Sequence, residues 1–239
     1  MTESFVPKPA RRTRLADTVY GRILDDILGG TFAEGDKLPS EQELCAAFGV
    51  SRPVAREAMT RLQADGLVRT HQGVGSFVNR RPSARLGEFA SSAEISDYLR
   101  SLEARILLET EAARLAALRR SPAQLEAIRR SHATLKDCAA RGAHGWAEDM
   151  AFHDAILEAA GNEYFPLLMQ TIRNSVVPAM AVGLDLGRER APDQRRRVIE
   201  EHGSILGAIM AQDADGAAAY MRYHLLQARA GLTDMNHLA

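Results

Sequence analysis

Aromatic residues are scarce, at 5% of the chain, and cysteines number only two, Cys45 and Cys138. With Ala, Leu and Arg abundant instead, the composition leans towards helix. Two cysteines cannot build a disulfide scaffold; with no export signal they read as buried thiols of a reducing cytoplasm. No apolar run approaches the ~20 residues needed to span a bilayer, so no membrane partner is expected. Met1 to Arg14 carries Lys8, Arg11, Arg12 and Arg14 but no apolar stretch follows, which argues against a secretory signal. An excess of one charge is also missing: 30 Lys and Arg stand against 31 Asp and Glu, for a net charge of −1. Residues 1–80 hold 11 basic against 10 acidic side chains, and the remainder 19 against 21. Binding to a polyanion must therefore be argued from where charges sit, not from their sum.

What is present fits an ordinary soluble protein. Of 239 residues, 46% are apolar and 26% charged, enough for one large or two modest domains. Residues 1–14 read as a flexible basic arm. Leu15, Val19, Ile23, Ile27 and Leu28 recur at helical steps, and Gly29-Gly30 ends that helix. Ser40-Glu41-Gln42-Glu43 has the form of a capping box and opens a short helix closed by Phe48-Gly49. Ser51 is placed to cap the next helix, with Pro53 at an early position and Asp65-Gly66 at its end. Strands are expected at Leu67–Thr70 and Ser76–Asn79, joined by a turn with Gly73 and Gly75. Residues 81–92 read as a linker around Arg81-Pro82-Ser83. Beyond it the pattern predicts helices near 93–119, 122–140, 144–160, 164–180, 193–211 and 214–230, within a helical domain spanning 93–232.

Two short helices joined by a tight glycine turn, the second opening in Ser-Arg, suit a helix-turn-helix whose second helix enters the major groove of DNA. Arg52 and Arg56 are four apart and share a face. One can read a guanine edge while the other grips phosphate. The hairpin with His71, Gln72, Gly73 and Gly75 would be a wing. Arg61 and Arg69 read as solvated charges, with phosphate contact the alternative. The run Leu38-Pro39-Ser40-Glu41-Gln42-Glu43-Leu44, with Phe48-Gly49-Val50-Ser51-Arg52, Val54-Ala55-Arg56-Glu57-Ala58, Leu62–Val68 and Gly73–Val78, resembles the GntR family of bacterial transcription factors. The resemblance implies a winged helix-turn-helix over 15–80 that binds a short palindromic operator as a homodimer. It also implies DNA contacts from Arg52 and Arg56, supported by Ser51, Gln72 and Gly73. The family usually has Arg at the position of Gln42, so Gln42 reads a different base or none.

In the helical half, His153 lies on a stripe with Trp146, Met150, Ile156 and Leu157, and Asp149 lies on the same stripe. His202 shares one with Val198, Ile199, Ile205, Leu206 and Ile209, and His224 one with Ala217, Met221 and Leu225. A buried polar group without a partner costs about 1–3 kcal/mol, and a divalent cation would satisfy all four at once. The alternatives are core histidines bonded to backbone carbonyls, and an Asp149–His153 pair across one turn. His71, His132, His144 and His237 lie off these stripes and receive no ligand role.

Asp149-Met-Ala-Phe-His153, Gly161-Asn162, Glu201-His202, His224 and Arg105-Ile-Leu-Leu-Glu109 resemble the FCD-type effector domain of the FadR subfamily. That resemblance implies an all-α antiparallel bundle with Asp149, His153, His202 and His224 as ligands of a divalent metal. Zinc is the first choice, ahead of nickel, manganese or iron. It also implies a small carboxylate or sugar/hydroxy acid as effector, with Arg105 as a second anchor. The alternative for Arg105 is an exposed ion pair with Glu109. Asn174 is a further candidate donor to the effector, and Arg195–Arg197 read as a solvated face. The expected function is a DNA-binding regulator, not an enzyme. A sensor of metal alone, a purely structural metal, and a metal-dependent hydrolase or lyase fused to a DNA-binding domain are the competing readings. Against the last, no general base is evident except Glu201, which is expected to point away from its neighbour His202.

Overall fold

A computed structural model describes residues 15–79, 91–141, 145–173 and 192–233. The fold is mostly helical with one small sheet. Helix α1 (Leu15–Leu28) lays Val19, Tyr20, Ile23, Leu24 and Ile27 inward. Helix α2 (Glu41–Phe48) opens on a complete capping box: Glu43 N–H donates to Ser40 Oγ and Ser40 N–H to the Glu43 carboxylate. Gly49 closes α2 in the left-handed region, at φ 63°. Such a conformation suits glycine, which has no Cβ to clash. Helix α3 (Arg52–Ala64) has Ser51 at its N-cap, but the Ser51 side chain makes no capping bond, so its expected capping role is confined to the backbone position.

Strands β1 (Val68–His71) and β2 (Gly75–Val78) pair antiparallel, with Val68 opposite Val78 and His71 opposite Gly75. They sit one residue off the expected spans at each strand. The chain before α2 adds a rung: Leu38 N–H donates to Ser76 O and Val78 N–H to Asp36 O. The Lys37 side chain crosses the tip, where a Cβ on Gly75 would lie 2.7 Å from its Cε.

The rest is helical: α4 (Ser92–Arg119), α5 (Pro122–Ala140), α6 (Trp146–Ala159), α7 over 164–173, α8 (Pro192–Met210) and α9 (Ala214–Thr233). Capping boxes at Ser91–Glu94 and Ser121–Gln124 set the starts of α4 and α5. The expected arm at 1–14 and most of the expected linker lie outside the described residues, as does the second half of the helix expected at 164–180. Ser91 and Ser92, assigned to the linker, instead begin α4. Helix α9 packs along α4, with α8 against both and α6 against α4 and α5. Phe152, Ile156, Ile205, Ile209, Met221 and Leu225 fill the core between them.

The two halves meet through the first turns of α4. Ile95 and Leu99 are buried in the same core as Val19, Leu62 and Val78. Arg61 is not a solvated charge: only 20% of its side chain is exposed. Its NH1 donates to Asp17 at 2.6 Å and its NH2 to Ser96 Oγ at 3.0 Å. Its guanidinium also lies 4.8 Å from the Tyr20 ring centroid. Partners from α1 and α4 draw it inward, which the pattern along α3 alone does not reveal.

Candidate metal centre and nucleic-acid interface

Helix α6 presents Asp149 and His153 one turn apart, α8 presents His202 and α9 His224. Their ligand atoms all lie within 4.8 Å of one another. His202 Nε2 is 3.4 Å from His153 Nε2 and 3.2 Å from Asp149 Oδ1. His153 Nε2 is 3.9 Å from Asp149 Oδ2. The Asp149–His153 pair weighed from spacing is present across one turn but long. The closer partner of Asp149 is His202, on another helix.

Each histidine is tied down at its other nitrogen. His153 Nδ1 meets the Glu109 carboxylate, His202 Nδ1–H donates to Val198 O at 2.8 Å, and His224 Nδ1–H donates to Glu201 Oε2 at 2.9 Å. A proton held on Nδ1 leaves the Nε2 lone pair free to point elsewhere. Three such lone pairs and a carboxylate converge on one buried spot. Without a cation or an added proton between them they repel. Donors about 2.0–2.2 Å from a shared ion stand a little over 3 Å apart, so the two close separations fit one cation. Carboxylates behind ligating histidines are the usual supports of such centres.

The charges agree. Burial pushes the Asp149 carboxyl up, but the hydrogen bond from His202 and the neighbouring imidazoles outweigh it and hold it well below the usual range. Burial, with His202 and His153 nearby, pushes His224 well below the ordinary histidine value and so favours the neutral form a metal requires. Burial works against Glu109 too, but Arg105 and His153 bring its carboxyl down to about 2.

Arg105 and Glu109 do form the i,i+4 pair, Nε to Oε1 at 2.6 Å, but both are buried, not exposed. Arg105, Glu109 and His153 are therefore one linked group. Glu201 turns from its neighbour His202, as expected, but onto His224. The orienting roles of Glu109 and Glu201 escaped the sequence reading. Their signal was present: Glu109 falls at helical steps with Leu102, Ile106, Ala113 and Ala116, and Glu201 with Val198, Ile205 and Ala208. Asn174 lies outside the described residues. His132 bonds Ile199 O at 3.3 Å, in keeping with its exclusion.

On the other half, Ser51, Arg52 and Arg56 are exposed along the start of α3, with Gln42 exposed on α2 and Gln72 and Gly73 exposed at the wing tip. Arg56 is held by Glu41, Nε to Oε1 at 3.1 Å and NH2 to Oε2 at 3.0 Å. Arg52→Ala is expected to cost about 1–3 kcal/mol at one position of a specific DNA site and to relax base preference there. A binding assay over single-base variants of the site reads this; an unchanged preference excludes base reading by Arg52.

Short helices capped into a helix-turn-helix with a glycine-tipped wing, joined to a helical bundle around a histidine cluster, have the architecture of a DNA-binding regulator with an appended helical domain. Comparison with known proteins is specific about which. Residues 15–78 match the bacterial regulatory proteins of the gntR family and residues 100–227 match the FCD domain. The chain is 34% identical over 202 residues to the HTH-type transcriptional regulator LutR of Bacillus subtilis, covering 83% of this chain and 92% of that one. It is 30% identical over 221 residues to the Uxu operon regulator of Haemophilus influenzae, covering 92% and 82%. It is 32% identical over 226 residues to the Escherichia coli putative L-lactate dehydrogenase operon regulatory protein, covering 89% and 84%. A solved structure described as Lar, which controls the Listeria monocytogenes agr system, shares the fold at TM-score 0.51 and 18% identity, over 93% of this chain and 98% of that one. The protein belongs to the GntR family of DNA-binding transcriptional regulators and carries an FCD domain; these families are regulators, not enzymes. No helix among the described residues is long and apolar enough to cross a membrane.

Proposed function

We propose that the chain is a cytoplasmic, homodimeric repressor whose helical domain holds a divalent metal and answers to a small carboxylate or hydroxy acid. In this reading residues 15–80 bind a palindromic operator, with 1–14 a basic arm, 81–92 a linker and 93–232 the sensing and dimerising domain. Asp149, His153, His202 and His224 hold the ion. Arg105 and Asn174 take the acid; Arg52 and Arg56 contact DNA, with Ser51, Gln42, Gln72 and Gly73 around them. The observation that carries the metal is the convergence of three Nε2 atoms, each with its Nδ1 already engaged, on one carboxylate.

Three nitrogens and one oxygen suit zinc, and also nickel, iron or manganese. Four protein donors leave room on a five- or six-coordinate ion for the oxygens of an acid. The metal supplies a Lewis-acidic point for those oxygens. The protein supplies a buried guanidinium, which pairs with carboxylate in a planar, two-toothed geometry. Similarity to the E. coli putative L-lactate dehydrogenase operon regulatory protein makes L-lactate a rational first acid to test. Binding would favour one placement of the paired winged domains, and a coupling of about 1–3 kcal/mol changes DNA affinity about 5–150-fold.

Metal content and thermal shift, measured for wild type and His202→Ala with L-lactate, a hexuronate and citrate, test this reading. Wild type is expected to carry about one metal ion per chain and to gain stability from an acid only while metal is bound. His202→Ala is expected to lose both. Equal stabilisation of the variant by the acid excludes the metal-assisted mode. A change in DNA binding on metal addition with no acid identifies a sensor of metal alone.

A further inference from the structure

The last helix does more than supply a ligand. Helix α9 carries His224 inward and, five residues on, Arg229. Five residues advance about 7.5 Å along a helix and about 140° around it. Arg229 therefore leaves the bundle on another side, and it leaves towards the DNA-binding half. Its NH2 donates to Ala64 O at 2.6 Å and to Asp65 Oδ1 at 2.8 Å. Ala64 ends α3, the helix expected in the DNA groove, and its carbonyl is one that the helix itself leaves without a donor. Asp65 is buried, and its other oxygen accepts from Tyr20 OH at 2.7 Å, inside the winged-helix core.

We infer that Arg229 is a latch by which the position of α9, and so the state of the pocket holding His224, is imposed on the C-terminal end of α3. The inference rests on the metal-site reading above. Its chemistry is a charge-assisted clamp: one guanidinium caps the α3 C-terminus and neutralises a carboxylate that burial alone would penalise. Helix α4, which also meets the histidine cluster through Glu109 and its partner Arg105, is grafted into the winged-helix core by Ile95 and Leu99. The hydrophobic graft fixes α4 to the DNA-binding half. A shift of α9 against α4 is then felt at α3 through the Arg229 clamp. Few residues need move: the clamp acts at a distance of one side chain from the recognition helix.

Hydrogen exchange on the full chain tests this, with zinc as the probe. In wild type, zinc added to chelated protein is expected to slow amide exchange of residues 58–66 by about fivefold or more, the lower end of ordinary allosteric coupling. Arg229→Ala is expected to keep wild-type zinc content and to lose that change. Arg229→Lys, which keeps the charge but not the planar fork, is expected to fall between. Protection of α5, far from the clamp, reports that each variant is folded. An undiminished zinc response in Arg229→Ala overturns the latch, as does a wild type that binds zinc with no response at 58–66. If wild type binds no zinc, the metal reading fails instead. The latch is then judged on the chelated proteins, where equal exchange of 58–66 in wild type and Arg229→Ala overturns it and faster exchange in the variant upholds it.

Discussion

Glu109→Ala should be among the most damaging single changes in the chain, lowering stability by about 3–5 kcal/mol. It would strip the partner from Arg105, a charge held in the interior, and breaking a buried pair from one side costs about that much. In a chain of this size the loss corresponds to a fall in Tm of roughly 6–20 °C. The same change frees His153 Nδ1, so metal affinity is expected to drop about 10–100-fold. Glu109→Gln separates the two effects. Its amide oxygen can still accept from His153, so metal retention should exceed that of the alanine variant, while the unpaired Arg105 keeps stability low. Replacing both partners, Arg105→Met with Glu109→Leu, should recover part of the lost stability, because no lone charge then remains inside. Denaturant titration with metal analysis on these three proteins makes the comparison. A loss below ~1 kcal/mol for Glu109→Ala would show that the pair is solvated in solution.

Phe152→Ala is the second large effect, expected at about 3–5 kcal/mol. Phe152 is fully buried, and its ring meets that of His202 edge-on at 4.8 Å and that of His153 at 6.0 Å, with His132 at 5.9 Å. It is both core and backing for two of the proposed ligands. Truncation leaves a cavity into which those imidazoles can turn, so metal content should fall along with stability. Phe152→Leu, closer in volume, should retain more of both. Urea unfolding of chelated and zinc-loaded protein separates the packing loss from the metal loss. If Phe152→Ala is as stable as wild type when chelated, the ring does not hold up the core.

The winged helix was legible because its signals are local. A capping box is read within four residues, and Gly49, Pro53 and the glycines of the wing each act on their own turn. The histidine stripes were legible for a related reason: helical periodicity alone places His153, His202 and His224 inward. What periodicity cannot supply is the partner. Glu109 is 44 residues from His153, and Glu201 is 23 from His224. Only the packing of α4 on α6 and of α8 on α9 brings them together. Applying to carboxylates the test applied to histidines, a charged residue at a core position, would have marked both. Arg61 and Arg229 were missed for the converse reason. Each sits at the surface of its own helix and becomes enclosed only when α3 meets α4 and α9.

The ion pair between Arg56 and Glu41 bears on how the protein searches a genome. A carboxylate and a phosphate offer the guanidinium similar geometry, so Glu41 acts as a resident substitute for the nucleic-acid backbone. If Arg56 contacts DNA as proposed, moving it from Glu41 to a phosphate of an arbitrary sequence exchanges one anion for another. It also leaves the Glu41 charge bare beside a polyanion. The exchange is worthwhile only where the groove offers Arg56 more than an ordinary phosphate does. In that reading Glu41 penalises non-specific sites more heavily than the operator, and its removal is expected to raise affinity for random DNA while narrowing the margin by which the true site wins.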